Sequence, residues 1–383
     1  MKRLFSSFGV ASLVIGCGGS SPPPAATTSA QSQPIASATS PSAAATAPAV
    51  ADAGAAPVPQ GPAIRSVAFP GVTAPASVDL IAYEPVHARV WVPVGNDGSV
   101  DVYDVASAAF THVAGFATAQ RERKGKTRTM GPSSATAGDG FVYIGDRGSS
   151  EVCPVDASTL KPAKCTKLKS SADFVTYVAS TKEVWATTPE DQSITILDAS
   201  KPDALKIKTS IKMAGSPEGS AVDAAHGFFL TNLEDKDKTL VIDVKTHKIV
   251  HTWASGCGTE GPRGVVADSA HGFVFVACAD HVQALDANHE GAPLGKLDVA
   301  AGVDNIEWLA SQGLLYAAAK SGKLVTMRAG SNGALTAAAA VTTPEGARNA
   351  VVDPDGTAYL VDGQHAQLVV VPRELALGDT SSK

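Results

Sequence analysis

Apolar and polar positions along this chain repeat with a period of about 43 residues. Residues 221–243, AVDAAHGFFLTNLEDKDKTLVID, are echoed by residues 264–286, GVVADSAHGFVFVACADHVQALD. Each copy contains an apolar run ending near an Asp, a turn at Ala-His-Gly, a second strongly apolar run, a polar loop and a third run ending at an Asp. Short apolar runs bounded by turn residues predict β-strands.

The pattern occurs seven times. The second strands are predicted at residues 90–92, 141–144, 184–186, 228–230, 273–276, 314–316 and 358–360. The third strands are predicted at residues 100–104, 151–156, 194–198, 240–243, 282–286, 323–327 and 368–371. The first two copies stand about 50 residues apart because residues 116–131 are inserted between them.

Repeats of 40 to 45 residues with several short strands each are typical of a β-propeller, since one such sheet cannot bury both of its faces alone. We therefore predict an all-β, seven-bladed propeller. The last copy ends before a fourth strand, and residues 64–69, IRSVAF, precede the first copy without a partner of their own. This N-terminal strand is expected to complete the last blade and close the ring, which leaves no sheet edge exposed.

The repeat resembles that of the YVTN-type, YncE-like seven-bladed propellers. Their signature tetrapeptide is matched most nearly by Phe229-Leu230-Thr231-Asn232 and more loosely by Val142-Tyr143-Ile144-Gly145. The resemblance covers residues 63–375 and implies the fold. For function it implies several classes, because relatives are described as binding proteins, components near redox systems and lactonase-like enzymes. No copy reads YVTN literally, and the sixth ends its third strand at Met327-Arg328 instead of an Asp.

The first 16 residues have the form of a signal peptide. Lys2 and Arg3 precede an apolar stretch at residues 4–15, which is too short to span a bilayer as a helix. Val14-Ile15-Gly16-Cys17 resembles a bacterial lipobox, so we expect Cys17 to become a lipidated N-terminus. The alternative is an ordinary secretory signal with a coincidental Cys.

Residues 17–62 predict a disordered tether. After Cys17 they are almost wholly Ala, Ser, Thr, Pro and Gly, with Asp52 as the one charge. Such a composition cannot bury enough apolar surface to fold. The propeller is expected at residues 63–375, followed by a disordered tail at 376–383. This organisation predicts a protein of the cell envelope, anchored by lipid to a bacterial membrane, with its propeller in the periplasm or at the cell surface.

Charge argues against a nucleic-acid partner. Removal of the signal leaves 29 basic residues against 37 acidic ones, a net charge of about −8, whereas nucleic acid requires clustered Lys and Arg. The insertion is a local exception. It carries Arg121, Arg123, Lys124, Lys126 and Arg128. This segment is interpreted as a solvated polar loop or as a contact for an anionic partner such as lipopolysaccharide phosphate, an acidic protein patch or nucleic acid.

Four cysteines remain after Cys17, and an even number in an exported protein predicts disulfides. Cys153 on the third strand of blade 2 is expected to face Cys165 on the fourth. Cys257, in the loop between blades 4 and 5, is expected to meet Cys278, which follows the second strand of blade 5, because these two kinds of loop emerge on one face. A four-cysteine metal site is disfavoured because no CxxC occurs.

The sequence lacks the familiar catalytic motifs, and we assign no catalytic residue. CxxCH, HExxH, GxSxG and the phosphate-loop pattern GxxxxGK[ST] are all missing from the sequence. His87, His226 and His271 recur at one turn position, which favours a turn role over metal binding. Repeated aspartates at the ends of third strands are expected to hydrogen-bond to turn backbone: Asp104, Asp198, Asp243 and Asp286.

One set of polar residues points to an axial funnel, where the loops before the first strands converge. These residues are Asp79, Ser133, Asp173, Glu218, Arg263, Asp304, Asn305, Arg348 and Asn349, joined by Asn232 and Glu234 from the loop after a second strand. The set is interpreted as a polar ligand site or, alternatively, as charges that satisfy one another. A divalent cation held by Glu218, Asn232, Glu234, Asp304 and Asn305 is a further alternative.

These observations favour a non-enzymatic binding or scaffold module without a cofactor. The expected partners are the membrane, through the lipid, and an unidentified protein, glycan or small ligand, and the expected state is a monomer. The alternative is a lactonase-like or other metal-assisted hydrolase whose cation polarises a carbonyl in the funnel.

Overall fold

The computed structural model describes residues 62–378 apart from residue 124. The predicted signal peptide, Cys17 and residues 18–61 of the predicted tether lie outside the described residues, as do residues 379–383 of the predicted tail. The described chain forms seven four-stranded antiparallel sheets and one two-stranded hairpin. The predicted all-β, seven-bladed propeller is confirmed.

The strands follow one another blade by blade. After β1 (Arg65–Ala68), blade 1 contains β2 (Ala82–Glu84), β3 (Arg89–Val94), β4 (Ser99–Asp104) and β5 (Ala109–Ala114). An inserted hairpin of β6 (Ala119–Arg123) and β7 (Lys126–Met130) follows. Blade 2 contains β8 (Pro132–Gly138), β9 (Phe141–Asp146), β10 (Glu151–Asp156) and β11 (Thr166–Lys167). Blade 3 contains β12 (Val175–Val178), β13 (Glu183–Thr188), β14 (Ser193–Asp198) and β15 (Lys206–Lys212).

Blade 4 contains β16 (Pro217–Asp223), β17 (Phe228–Leu233), β18 (Lys238–Asp243) and β19 (Lys248–Ala254). Blade 5 contains β20 (Val265–Asp268), β21 (Phe273–Ala277), β22 (His281–Asp286) and β23 (Ala292–Asp298). Blade 6 contains β24 (Val303–Leu309), β25 (Leu314–Ala319), β26 (Lys323–Ala329) and β27 (Leu335–Thr342). Blade 7 contains β28 (Ala347–Val352), β29 (Ala358–Asp362) and β30 (Gln367–Val371). Three single-turn 3-10 helices occupy Pro189–Asp191, Gly258–Glu260 and Ala287–His289.

The N-terminal strand closes the ring as predicted. β1 pairs antiparallel with β30, in a register that sets Arg65 opposite Val370 and Ala68 opposite Gln367. The backbone N–H of Phe69 then donates to the carbonyl of Ala366 at 2.9 Å. Blade 7 therefore joins the two ends of the described chain, and β1 supplies its outer strand.

The hydrophobic core lies between the blades. Seven clusters of buried side chains occur in the described chain, one for each pair of adjacent blades. Neighbouring positions on one strand serve different clusters: Trp91 packs against blade 2, whereas Val90 and Val92 pack against blade 7. This explains why the second strands read as unbroken apolar runs, because both of their faces are buried.

The recurrent histidines have the predicted turn role. His226 Nδ1 lies 2.8 Å from a carboxylate oxygen of Asp223, three residues earlier, and His271 lies 2.6 Å from Asp268 in the same way. His87 repeats the contact with Glu84 at 2.8 Å. Each pair fixes the turn between a first and a second strand, on the face of the propeller that we call the turn face.

The aspartates that end the third strands accept backbone N–H groups, also as predicted. Asp243 accepts from Thr246 at 2.7 Å, and the corresponding aspartate of blade 1, Asp104, accepts from Ser107 at 2.9 Å. Hydrogen bonds from the backbone and side chain of Ser107 lower the pKa of Asp104, and Thr246 does the same to the pKa of Asp243. These carboxylates stay ionised because the turns bind the charged form.

Both predicted disulfides are confirmed. Cys153 bonds to Cys165 with a Cα–Cα distance of 4.1 Å, and Cys257 bonds to Cys278 with a Cα–Cα distance of 5.2 Å. Cys165 lies next to β11 instead of within it, because that strand has only two residues. The second bridge ties the loop before blade 5 to the loop after β21, on the face opposite the turn face, which we call the loop face.

The folded chain continues past residue 375, the predicted end of the propeller. The helix α1 (Arg373–Ala376) follows β30, and Ala376 is fully buried in the cluster between blades 6 and 7. Leu375 and Leu377 pack against the same cluster. The predicted disordered tail therefore does not begin at residue 376. No helix within residues 62–378 is both long and apolar enough to cross a membrane.

Candidate functional site

Charged side chains encircle the axis on the loop face, and we call this set the charge ring. In chain order the charge ring consists of Asp79, Arg147, Asp173, Glu218, Glu234, Arg263, Asp304 and Arg348. All of them stand just before an inner strand, at its first residues, or in the loop after a second strand. Because all seven blades bring such loops to the axis, residues far apart in sequence meet here.

Arginines link consecutive blades on one side of the charge ring. Arg348 of blade 7 donates to the carboxylate of Asp304 in blade 6, and its other terminal nitrogen lies 3.4 Å from Asp79 in blade 1. Arg147 of blade 2 donates to Asp79 at 2.9 Å and also to Asp173 of blade 3. Four adjacent inter-blade boundaries, from blade 6 round to blade 3, are thus joined by ion pairs.

Blades 4, 5 and 6 are joined more loosely. A terminal nitrogen of Arg263 lies 3.9 Å from a carboxylate oxygen of Glu234 and 3.9 Å from one of Asp304. Burial is the main factor that raises the pKa of Asp304, and Asp79 adds to the shift, while Arg348 and Arg263 oppose it. Arg263 therefore balances two carboxylates without a short hydrogen bond to either.

Glu218 is the exception in the charge ring. Within residues 62–378, no side chain or backbone group makes a hydrogen bond or an ion pair to its carboxylate. Burial raises the pKa of Glu218 to about 8, and the charges of Asp304, Glu234 and Asp79 add to the shift, with Arg147 opposing it. Within the described chain, no ion pair of the charge ring joins blades 3 and 4, and we call this position the opening in the charge ring. Glu218 lies there and holds its proton at neutral pH.

Asn232, a predicted funnel ligand, has a different position. It is fully buried, and its side-chain amide donates to the backbone carbonyls of Arg263 at 2.6 Å and Gly264 at 3.2 Å. Its carbonyl oxygen accepts from the hydroxyl of Thr239 at 2.7 Å. Asn232 therefore connects blade 4 to the backbone of blade 5 and does not point a free group into the funnel.

Asn305 and Asn349 also join blades. The amide of Asn349 donates to the backbone carbonyl and to the carboxylate of Asp79, each at 3.1 Å. Its oxygen accepts the backbone N–H of Asn305 at 3.1 Å. Asn349 is buried and thus spans blades 6, 7 and 1 immediately below the charge ring.

The five residues proposed for a cation do not present five free oxygens. Asn232 uses its oxygen on Thr239, and Asp304 is engaged by Arg348. Among the described residues, the one group of three His, Cys or carboxylate ligand atoms within 4.8 Å of one another is Glu151, Cys153 and Cys165. Both of these cysteines are in a disulfide. Glu218, Glu234 and Asp304 do not converge to that degree.

Two functional candidates were missed by sequence reasoning. Arg147 directly follows β9, as Glu234 directly follows β17, so its position in the repeat was the available signal. Glu307 lies on β24 between Ile306 and Trp308, and a charge between two apolar residues of an inner strand was the available signal.

Below the charge ring, the axial channel encloses a cavity of about 390 Å³. The inner strands of all seven blades line it, and Glu307 is the one charged residue in that lining. The cavity also reaches Pro85, an exposed residue of the β2–β3 turn. It therefore extends to the turn face, and no residue of the charge ring lines it.

The insertion forms a hairpin beside the charge ring. A terminal nitrogen of Arg121 donates to the carbonyl of Gly148 at 3.1 Å and lies 3.4 Å from the hydroxyl of Ser150, which anchors the hairpin to blade 2. Lys126 and Arg128 on β7 are exposed. Residues 119–123 and 126–130 thus pair as a β-hairpin on the loop face, where a loop was expected.

The fold resembles many solved structures, whereas the sequence matches no protein-family profile and no curated protein. A chain in the crystal structure of the mitotic checkpoint complex superposes with a TM-score of 0.64 at 12% identity, covering 80% of this chain and 90% of that one. The RRP9 WD40 repeats give a TM-score of 0.64 at 10% identity, with 82% and 99% covered. Virginiamycin B lyase from Staphylococcus aureus gives 0.62 at 9% identity, with 80% and 98% covered. These identities establish the propeller fold alone.

Proposed function

We propose that this protein is an exported, lipid-anchored binding module of the YVTN-type, YncE-like kind, and that its axial funnel holds a lysine or arginine side chain of a protein partner. The observation that carries the proposal is the opening in the charge ring at Glu218. Ion pairs of the charge ring join each blade to the next from blade 4 through blade 7 and on to blade 3, so among the described residues only the boundary between blades 3 and 4 lacks an ion pair of this ring. One basic side chain bound beside Glu218 would complete the circle of ion pairs.

Electrostatics favours a cation at this position. The charge ring contains five carboxylates and three guanidinium groups, and the pKa of Glu218 is raised first by burial and then by the negative charges of neighbouring carboxylates. A guanidinium or ammonium group supplies the missing positive charge and N–H donors to an acceptor that has none within the described chain. Binding then lowers the pKa of Glu218 and releases its proton.

The hydrolase alternative has less support from this geometry. A carboxylate-held metal requires several converging oxygen ligands that are free to bind it. In the funnel, Asn232 bonds to blade 5 backbone, and Asp304 and Asp173 bond to arginines. Binding of a basic side chain needs only one acceptor without a protein partner, and the carboxyl group of Glu218 is such an acceptor within the described chain.

The structural neighbours are compatible with either class. The mitotic checkpoint complex is a protein assembly, whereas the virginiamycin B lyase is named for a reaction. The choice of a binding role for this chain rests on the charge ring and not on those likenesses.

Membrane attachment rests on Val14-Ile15-Gly16-Cys17 and on the composition of residues 18–62. Mass spectrometry of the protein extracted from membranes is expected to find a diacylated or triacylated Cys17 at the mature N-terminus. An unmodified terminus at another residue would refute the anchor but leave the proposal for the funnel intact.

The funnel is tested with a peptide pair that differs in one charge. The probe is Gly-Gly-Arg-Gly-Gly, and its neutral match replaces arginine by citrulline. We expect calorimetry at pH 7 and low ionic strength to show binding of the arginine peptide alone, weakened at least tenfold by Glu218→Gln. Glu190→Gln removes an exposed carboxylate near the same face and should leave the affinity unchanged. Equal binding of both peptides, no binding, or an unaffected Glu218→Gln variant contradicts the proposal.

A further inference from the structure

The cavity in the axial channel has an almost entirely uncharged wall. Its apolar lining includes Ile81, Val175, Val265, Ile306, Val351 and Val352, and its neutral polar lining includes Tyr83, Thr136, Thr176, Ser220 and Asn305. A volume of about 390 Å³ falls in the range of small-molecule pockets, roughly 300 to 1,000 Å³. Neutral walls with few polar groups are typical of sites that bind a small organic ligand.

Glu307 places one carboxyl group in this wall. It stands on β24, opposite Tyr316 in the ladder with β25, between Ile306 and Trp308. Within the described chain, no hydrogen bond or ion pair engages its side chain. The Glu307 side chain is partly exposed to the channel, so its carboxyl group is the one charged acceptor available to a ligand in the cavity.

The chemistry of an isolated carboxylate limits the class of ligand that can bind in the cavity. A carboxyl group beside apolar walls favours either its protonated form or a cationic partner, because partial desolvation disfavours the unpaired charge. One carboxylate offers two oxygens, whereas calcium takes six to eight oxygen ligands, so a divalent ion is poorly matched. An ammonium group is well matched, since it brings one positive charge and N–H donors.

From this geometry we infer a second binding site, in the axial channel, for a primary amine with a small apolar body, whose ammonium group pairs with Glu307. The apolar body lies against the valine and isoleucine side chains of the inner strands. The aromatic rings of Tyr83 and Phe174 line the same cavity, and aromatic faces attract organic cations. A neutral molecule of the same shape fills the cavity but leaves Glu307 without a partner.

This site is separate from the funnel site proposed above. The cavity reaches the exposed Pro85 on the turn face, whereas Glu218 belongs to the charge ring on the loop face. Asn349 and its hydrogen bonds to Asp79 and Asn305 lie between the two levels. The two carboxylates can therefore be tested independently, each serving as the control for the other.

The pH dependence of binding follows from the surroundings of Glu307. Burial alone raises the pKa of Glu307 to about 7. The titratable or charged groups on β24 and on the strands packed against it are Asp304, Asp268, Tyr316 and Arg348. Tyr316 is adjacent in the ladder, and burial raises its pKa to about 12, so it stays neutral. Below pH 7 an amine must displace a proton from Glu307, and its affinity should fall about tenfold for each further pH unit.

The test uses 2-phenylethylamine and its neutral match 2-phenylethanol as probes of the full chain. At pH 8.5 Glu307 is ionised and the amine is still protonated. We expect calorimetry to show that the amine binds at least tenfold more tightly than the alcohol. Glu307→Gln should abolish that preference, Glu218→Gln should preserve it, and the wild-type affinity should decline below pH 7.

Three results would overturn the inference: no binding of the amine by the wild-type chain, equal binding of amine and alcohol, or an unchanged preference in Glu307→Gln. Glutamine has nearly the same shape as the glutamic acid it replaces, and circular dichroism with a melting curve confirms that the variant is folded. A loss caused by Glu218→Gln in place of Glu307→Gln would assign the amine to the funnel and would contradict this site while supporting the other.

Discussion

Asn232 of blade 4 donates its side-chain amide to the backbone carbonyl of Arg263 in blade 5, at 2.6 Å. Arg263 in turn lies 3.9 Å from Glu234 and from Asp304 on the funnel rim. A buried amide therefore positions the backbone that carries a charged member of the funnel. Asn232 acts on the site through this contact and not as a ligand.

Replacement of Asn232 by alanine should destabilise the fold by about 2 to 3 kcal/mol, because two backbone carbonyls and the Thr239 hydroxyl lose a buried partner. Urea denaturation measures this change. Glu234→Ala, two residues away on the partly exposed rim, should change the stability by less than about 1 kcal/mol. If both variants lose the same small free energy of unfolding, the hydrogen bonds of Asn232 between blades 4 and 5 contribute little to stability, which would contradict this prediction.

The stability of the wild-type protein should depend on pH through Glu218. Its pKa is raised from 4.5 to about 8 on folding, so the unfolded chain loses this proton first as the pH rises. Stability is then lost between pH 4.5 and about 8 and levels off above that range. Glu218→Gln removes the effect: it should match the wild type near pH 4.5 and exceed it by about 2 kcal/mol at pH 8.5, after allowance for solvent screening in the funnel. Parallel stability curves at all pH values would show that Glu218 ionises normally.

Divalent cations should not raise the melting temperature, because Asn232 and Asp304 already have protein partners. A ligand that binds only the folded state adds about 2.7 kcal/mol at a hundredfold excess over its dissociation constant, which thermal scanning detects readily. The series is calcium, magnesium, manganese and zinc. A rise that Glu218→Gln abolishes would restore the cation site and the hydrolase interpretation.

Removal of the Cys257–Cys278 bridge should lower the stability by about 3 kcal/mol, as expected for a loop closed over 21 residues. The double variant Cys257→Ala, Cys278→Ala tests this under non-reducing conditions, with Cys153→Ala, Cys165→Ala as the comparison. Peptide mapping of the wild type should yield only the Cys153–Cys165 and Cys257–Cys278 linkages. Crossed linkages would contradict the arrangement of the loop face.

The fold could be predicted from the sequence because its information is local. The apolar runs of the second strands, such as that around Phe229, mark the centre of each blade, and turn residues mark the ends. Closure by β1 followed from counting strands. The β6–β7 hairpin was not predicted, because its residues are mostly polar and show no apolar periodicity.

The site could be predicted only in part. Position in the repeat brought Arg263, Asp304 and Arg348 to the axis, and the structure places them together. Which of these residues form ion pairs depends on how close each loop lies to the axis. That distance is set by contacts between blades and cannot be predicted from the local sequence. For the same reason Asn232 was assigned to the funnel although it also bonds to the backbone of the next blade, and Glu307 went unnoticed between Ile306 and Trp308.

The most direct test of the funnel account is the number of protons released when the Gly-Gly-Arg-Gly-Gly peptide binds. At pH 7 a carboxyl group with a pKa of about 8 is roughly nine-tenths protonated, and pairing with arginine removes that proton. Calorimetry in two buffers of different ionisation enthalpy measures the release. The account predicts about 0.9 protons for the wild type and none for any residual binding by Glu218→Gln. Binding without proton release, or the same release in both proteins, would contradict it.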